Sequence, residues 1–250
     1  MTCWGGADAG EPGRRISLEG APAALRQVAV GQRVCGLDYR GEARCWPADL
    51  SGEPELLHLS APGRLMDAGI ARVCVLTGPN DAYCFDYDAL GASHHSPLRA
   101  ATQLAVSGDH ACITGQGEVR CWGDNTHGQL GGDAADGNEG VTVALPERPT
   151  HVTTGWAHSC ATTALGSVYC WGDGSHGQLG HGSRDSSAQP VKVEGFSAPV
   201  IRVAAGRGHT CAVQSDRRVL CWGQNDLGQL GNGTQEDSLV PVLVDSSHLD

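Results

Sequence analysis

The sequence predicts an all-β protein built from repeated units, either a β-propeller or another repeat array, and three observations lead to this fold class. The 250 residues include 36 glycines and are 40% hydrophobic but only 5% aromatic. This composition suits short strands joined by glycine turns better than it suits long helices. A Cys-Trp-Gly motif recurs along the chain, and a second cysteine lies upstream of it at a nearly constant distance.

The Cys-Trp-Gly motif has three complete copies, and each continues into a Gly-Gln-Leu-Gly loop. The copies are VRCWGDNTHGQLGG (119–132), SVYCWGDGSHGQLGHG (167–182) and VLCWGQNDLGQLGNG (219–233). Degenerate copies are ARCWP (43–47) and AYCFD (82–86), and TCWGG (2–6) is a copy without its upstream half. Successive upstream cysteines are 39, 38, 48 and 51 residues apart. Such periods indicate a propeller or another array of short-stranded repeats.

The spacing within each cysteine pair predicts a disulfide across a β-hairpin. Pairing Cys112 with Cys121 leaves the two-residue loop Gln116-Gly117, and each of the other pairs leaves a three-residue loop. Opposed residues of an antiparallel pair lie within disulfide range. The last residue of a three-residue loop is usually left-handed, which Gly or Asn tolerates but Arg217 does not favour. The predicted pairs are Cys35–Cys45, Cys74–Cys84, Cys112–Cys121, Cys160–Cys170 and Cys211–Cys221.

Cys3 is the remaining cysteine, and its position suggests a split repeat. It occupies the second-strand position of its repeat, so its partner would lie before Met1. The chain stops just before another first-cysteine strand would begin. We expect Cys3 to be unpaired and residues 1–250 to form one propeller domain that is part of a longer ring. The alternative is that the two terminal half-repeats join into one incomplete blade.

The segment AGRGHTCAV…VLCWGQNDLGQLGNG (205–233) resembles the repeat of the regulator of chromosome condensation family in its bacterial, cysteine-paired form. The resemblance is close over residues 101–250. Over 27–100 it is degenerate but in register, because the loop is missing there and Pro47 and Asp86 replace the motif glycine. It implies a β-propeller of four-stranded antiparallel blades, usually seven per ring. This chain would supply about five full repeats plus one split or incomplete blade.

The residues that look like a metal site are better explained by the repeat. A zinc interpretation takes His158, Cys160, Cys170 and His176 as ligands, but zinc sites usually pair cysteines with only two to four residues between them. The histidine two residues before the cysteine is replaced by arginine in the first two repeats, which a ligand position would not allow. We therefore interpret it as a structural histidine that hydrogen-bonds a turn.

The sequence also does not support a phosphate loop, a calcium loop or a catalytic triad. The glycines of 223–228 lack the Gly-Lys-Ser/Thr ending of a phosphate loop. The acidic residues of 133–139 lack calcium-loop spacing. Ser107, Asp109 and His110 lie too close together on one strand to converge as a triad. We expect no enzymatic activity, no metal and no cofactor.

The composition also limits the partners. The 28 acidic residues against 17 basic ones give a formal charge of −11 without a basic cluster, so we expect no nucleic-acid binding. No apolar run reaches the roughly 18 residues of a membrane span, so we expect no membrane insertion. Residues 1–15 contain no apolar segment, and the sequence therefore shows no signal peptide.

After nucleic acid and membranes are excluded, a protein is the remaining class of partner. The residues that differ between otherwise constant repeats are the candidates to bind it. The varying position follows the glycine of the short loop before the first cysteine of each pair. Trp156 also differs from the other five tryptophans because it does not follow a cysteine. Variable loops on a constant scaffold commonly carry binding function. The candidates are Gln32, Ile70, Asp109, Trp156 and Arg207.

The predicted function is a non-enzymatic protein-interaction scaffold. Persistent cysteine pairs favour an oxidising compartment, so we expect an exported protein that is extracellular or on the cell surface. The family resemblance implies two alternatives. One is a cytoplasmic guanine-nucleotide exchange factor for a small GTPase, and the other is a secreted inhibitor of a hydrolase such as a β-lactamase.

Overall fold

The computed structural model describes residues 24–47, 52–78, 81–87, 92–95, 100–132 and 137–245, with the backbone alone for 92–95 and 137–139. Cys3 and the split repeat predicted around it lie outside these residues. The described chain forms five four-stranded antiparallel sheets, in each of which the strands follow one another in chain order. The predicted all-β fold with four-stranded blades is confirmed.

The twenty strands fall into four sets, one strand of each set per blade. The first strands are β1 (Leu25–Val30), β5 (Gly63–Ala68), β9 (Ala101–Ser107), β13 (Pro149–Thr154) and β17 (Val200–Ala205). The second strands are β2 (Val34–Asp38), β6 (Arg72–Thr77), β10 (His110–Gly115), β14 (His158–Thr163) and β18 (His209–Gln214). The third strands are β3 (Ala43–Cys45), β7 (Ala82–Asp86), β11 (Glu118–Gly123), β15 (Val168–Gly172) and β19 (Val219–Gly223). The fourth strands are β4 (Glu55–Leu57), β8 (Ala92–His95), β12 (Gly137–Val143), β16 (Ser187–Val193) and β20 (Ser238–Leu243).

The burial of the strands follows from the stacking of blades side by side. Every residue of β10, β14 and β15 is buried, because these middle strands are covered on both faces by neighbouring blades. The fourth strands β16 and β20 are mostly exposed or half-buried. The first strands of successive blades contact one another, which places them towards the axis of the propeller.

The second and third strands pair in the register that the cysteine spacing predicts. In every blade the two cysteines oppose each other directly, with Cα atoms 4.0 to 4.1 Å apart, and all five predicted disulfides are present. The two-residue loop Gln116-Gly117 has positive φ at both residues, 54° and 83°. Such values are required by the tight turn that suits the twist of a hairpin.

Arg217, the exception among the loop residues, adopts the predicted left-handed conformation all the same. Its φ is 70°, and its N–H donates to the carbonyl of Gln214 at 3.0 Å, as in an ordinary hairpin turn. The disulfide and the flanking register therefore impose the turn on a residue that does not favour it. In the second blade, two of the three loop residues, 79 and 80, lie outside the described part of the chain.

Neighbouring first strands are joined by side chains as well as by packing. The first strands of the first four blades each present a side-chain oxygen that accepts a hydrogen bond from a backbone N–H in the first strand of the next blade. The acceptor–donor pairs are Gln27–Met66 at 3.0 Å, Asp67–Val106 at 2.8 Å, Gln103–Val152 at 3.1 Å and Thr153–Ala205 at 3.2 Å. These bonds satisfy backbone groups that no strand partner reaches.

The motif tryptophans pack into the junctions between neighbouring blades. Trp122, Trp171 and Trp222 are almost fully buried, and each shares a buried cluster with cysteines of the preceding blade. The indole N–H of Trp171 donates to the carbonyl of Gln129 at 2.9 Å, and that of Trp222 donates to Gln178 at 2.8 Å. Both acceptors belong to the Gly-Gln-Leu-Gly loop of the preceding blade. The second blade has no such loop, and Trp122 donates to Cys84 Sγ instead.

The motif histidines are structural, but their partners are not in a turn. The Nε2 atom of His110 lies 2.9 Å from Ser159 Oγ, and that of His158 lies 2.9 Å from Thr210 Oγ1. Each hydroxyl belongs to the next blade and donates onward to the carbonyl that accepts the tryptophan, Gln129 or Gln178. The prediction that the histidine hydrogen-bonds a turn is therefore wrong for His110 and His158. The histidine joins two blades because blade stacking brings the hydroxyl to it.

Candidate interaction surface

The loops between first and second strands form a continuous arc on one face of the propeller. Each loop begins with a glycine, and adjacent loops approach so closely that a Cβ atom would overlap the neighbour's backbone. Such an atom on Gly31 would overlap the Gly69 carbonyl, and one on Gly108 would overlap the Trp156 carbonyl. At Gly155 it would also overlap the imidazole of His158. The glycine therefore allows both the contact between loops and the burial of the histidine.

All five sequence-predicted residues lie on this arc, one on each blade. Each is exposed, whereas the histidine or arginine one or two positions later in the sequence is buried or half-buried. Trp156 is 44% exposed and Ile70 is 45% exposed, in contrast with the four described motif tryptophans, which are buried. In blade order the residues are Gln32, Ile70, Asp109, Trp156 and Arg207. The surface thus changes from neutral and apolar to anionic, then aromatic, then cationic.

Two of the candidates are in direct contact. The guanidinium of Arg207 lies over the ring of Trp156, 4.8 Å from the ring centroid. The backbone N–H of Trp156 also donates a hydrogen bond to the backbone carbonyl of Arg207 at 3.3 Å. A cation over an indole face is stabilised by the ring quadrupole, by about 0.5–1 kcal/mol at an exposed site. The two side chains therefore hold each other in place on the surface.

Beside this pair is an open cleft of about 270 Å³ between the fourth and fifth blades. Sequence reasoning missed most of its other lining residues, which come from the loops after the Cys-Trp-Gly motif. These residues are Asp173, His176, Gln178 and Gln224. The signal that could have found them is the variation of the motif loops, which read Asp-Asn-Thr-His, Asp-Gly-Ser-His and Gln-Asn-Asp-Leu in three successive repeats.

Asp173, which lines the cleft, and Asp237, which contacts the lining residue His176, are already engaged. Asp173 accepts hydrogen bonds from the backbone and hydroxyl of Ser175 and from Gln178. Burial by itself would raise the pKa of Asp173, but these hydrogen bonds outweigh it and lower the pKa. Asp237 contacts Arg184 at 3.1 Å and His176 at 3.4 Å. Arg207 forms no ion pair with any described residue.

The rejected chemical sites are occupied by structural interactions. Cys160 and Cys170 form a disulfide and His158 contacts Thr210, so the four residues of the zinc interpretation do not converge. Within the described residues no three His, Cys, Asp or Glu side chains come close enough to hold a metal ion. The glycine loop of 223–228 is organised by the buried Asn225, whose side chain accepts the Leu230 N–H. In the same part of the chain, no helix is long and apolar enough to cross a membrane.

Comparison with known families finds matches over the well-formed repeats. Two models of the regulator of chromosome condensation (RCC1) repeat match, one over residues 166–213 and 216–248, the other over 101–129, 150–178 and 200–229. Together they include the Cys-Trp-Gly triplet of all three complete copies of the motif.

Individual relatives and structures give the same result. The chain is similar to the ultraviolet-B receptor UVR8 of Arabidopsis thaliana, with 36% identity over 146 residues, covering 56% of this chain and 33% of the receptor. It is 35% identical over 258 aligned positions to the human E3 ubiquitin-protein ligase HERC2, covering 88% of this chain and 5% of the ligase. Prp20p of Saccharomyces cerevisiae superposes with a TM-score of 0.76 at 18% identity, over 89% of this chain and 64% of that one. The chain thus spans a third or less of these two sequence relatives.

Proposed function

Because the chain belongs to the RCC1 repeat family, whose propellers typically serve as protein-interaction or exchange-factor scaffolds, we propose that it is a protein-interaction module. The partner binds the arc of exposed residues from Gln32 to Arg207. The observation that carries this proposal is that the residue after the loop glycine is exposed in all five blades, although the histidine or arginine that follows it is buried or half-buried. Core packing does not require Trp156 there, and tryptophan and arginine are frequent anchors of protein interfaces.

Replacing Trp156 with alanine is expected to reduce capture of the partner. The immobilised chain is incubated with secreted proteins of the host, and captured proteins are identified and titrated. Loss of an interface anchor costs about 2 kcal/mol or more, so affinity should fall about thirtyfold. The matched control is Leu165→Ala, because Leu165 is 74% exposed in the β14–β15 loop at the opposite end of the same blade. Equal capture by Trp156→Ala and the wild type would remove this surface from consideration.

We further propose that the protein is exported, and the disulfides are the support for this. Five disulfides in one domain are typical of oxidising compartments and rare in the cytosol. Of the eleven cysteines, one should therefore react with a thiol reagent in the denatured, unreduced protein, and that one is Cys3. Eleven reactive thiols in protein alkylated at the moment of cell lysis would contradict both the disulfides and export.

The second candidate function is an exchange factor for a small GTPase. The similarity to Prp20p, a structure described together with its binding to Gsp1p and histones, favours it. This function predicts reduced cysteines in the cell and faster nucleotide release from a partner GTPase. The thiol count separates this function from an exported scaffold, because the exchange factor requires reduced cysteines in the cell. In the capture experiment, a hydrolase as the captured protein would instead indicate a secreted inhibitor.

A further inference from the structure

The arc carries two unpaired charges of opposite sign on either side of an exposed tryptophan. Asp109 precedes Trp156 by one blade, and Arg207 follows it by one blade. Both charged residues are exposed, and neither forms an ion pair with a described residue. Other charged residues of the same face do form such pairs, as Arg72 does with Asp86 at 3.1 Å. The unpaired charges are therefore available to a partner.

Arg207 is held in an orientation that suits a carboxylate. Its guanidinium carbon lies over the Trp156 ring, 4.8 Å from the ring centroid, and its N–H groups form no ion pair with a described residue, so they remain available to a partner. A planar fork of N–H donors matches the two oxygens of a carboxylate. Because stacking already restricts the side chain, less conformational entropy is lost when a partner binds.

The surroundings of Arg207 favour a single negative charge over a double one. Asp173 lines the same cleft, and its lowered pKa keeps it ionised at neutral pH. Its oxygens are occupied by donors from its own loop, so it does not neutralise Arg207. It would nevertheless repel a phosphate dianion more strongly than a carboxylate. Together with the net charge of −11 on the whole chain, this repulsion favours an aspartate or glutamate side chain over a more highly charged group.

We propose that the arc binds an extended peptide segment of the partner that carries one acidic and one basic side chain in a defined order. The acidic side chain contacts Arg207 with its methylene groups against Trp156, and the basic side chain contacts Asp109. The loops of the third and fourth blades touch, and so do those of the fourth and fifth, so the three residues lie in a row on adjacent loops. This inference rests on the proposed function and specifies the partner's chemistry.

A random peptide library displayed on phage tests this inference. Selection on the wild-type chain is expected to enrich peptides with one acidic and one basic residue at a constant separation. The reciprocal variant Asp109→Arg, Arg207→Asp should select the opposite order of charges. A peptide chosen on the wild type should bind Arg207→Glu about tenfold or more weakly, because a hydrogen bond to a charged group is lost. The control Lys192→Glu makes the same change of charge on the outer strand β16, where Lys192 is exposed, and should bind normally.

Three results would overturn the inference. They are selected peptides without an acidic residue, an unchanged order of charges on the reciprocal variant, and tighter binding of a phosphoserine peptide than of its glutamate counterpart. Far-ultraviolet circular dichroism of each variant verifies that it is folded. If these results occur while Trp156→Ala still weakens partner capture, the proposed function stands and only the charge-ordered peptide is wrong. If Trp156→Ala has no effect on capture either, both fall.

Discussion

Replacing Trp171 with alanine is expected to lower the free energy of unfolding by about 3–5 kcal/mol. The side chain is fully buried and shares a cluster with Leu130 and Val143 of the preceding blade. Its removal leaves a cavity between two sheets that their disulfides and strand pairing prevent from closing. Denaturation by guanidinium chloride, with the disulfides intact, measures the change.

Two further variants separate the sources of this effect. Trp171→Phe keeps most of the buried ring but loses the indole donor to Gln129. The loss should be only about 1 kcal/mol, because the Gln129 carbonyl keeps the Ser159 hydroxyl as a donor. Trp156→Ala removes the same kind of side chain from the surface and should cost less than about 1 kcal/mol. A Trp171→Ala variant as stable as Trp156→Ala would contradict the role of this residue at the blade junction.

Lowering the pH from 7 to 5 is expected to destabilise the protein by about 4 kcal/mol through His110 and His158. Burial lowers the pKa of His110 from 6.5 to about 3, with a further contribution from the neighbouring His158. Burial likewise lowers the pKa of His158 from 6.5 to about 4. Both imidazoles therefore stay neutral in the folded protein at pH 5.

The sign of the effect follows from where protons bind. Below pH 6.5 the histidines of the unfolded chain take up protons, whereas the two buried histidines of the folded protein do not. Their contribution to stability is complete above this pH and is lost as the pH falls towards the folded pKa values. Each histidine contributes about 1.4 kcal/mol per pH unit, which gives about 2 kcal/mol at pH 5. Burial also lowers the pKa of His151 to about 4, so this histidine likewise makes the protein less stable as the pH falls.

Guanidinium denaturation at pH 7 and pH 5 measures this dependence, and His158→Gln is the matched variant. Glutamine does not titrate, and its amide can still hydrogen-bond the Thr210 hydroxyl. The variant should be less stable than the wild type at pH 7 but lose about 2 kcal/mol less on acidification. Equal denaturation midpoints for the wild type at the two pH values would show that the histidines are not buried in the neutral form.

Within a blade, most of the structure could be predicted from the sequence. The cysteine spacing alone indicated five hairpins, their loop lengths and five disulfides, because residues about ten apart can oppose each other in only a few registers. Repetition also identified the loop position whose residue is exposed in all five blades. Contacts between blades could not be predicted in this way. The residues around Asp67 in the sequence do not indicate that its carboxylate accepts a hydrogen bond from Val106 in the next blade.

The repeating unit, with its strands, turns, disulfides and variable position, could thus be predicted from the sequence. The contacts that join the units could be seen only in the folded structure. The hydroxyl partners of His110 and His158, the carbonyls that receive Trp171 and Trp222, and the stacking of Arg207 on Trp156 all join residues about 40 to 50 positions apart. Local hydrogen-bonding geometry specifies a hairpin, but contacts between blades depend on how whole sheets pack and rotate about the axis. The candidate site lies on such a junction, so its five loop residues could be named from the sequence, whereas the other residues of the cleft and the contact between Trp156 and Arg207 could not.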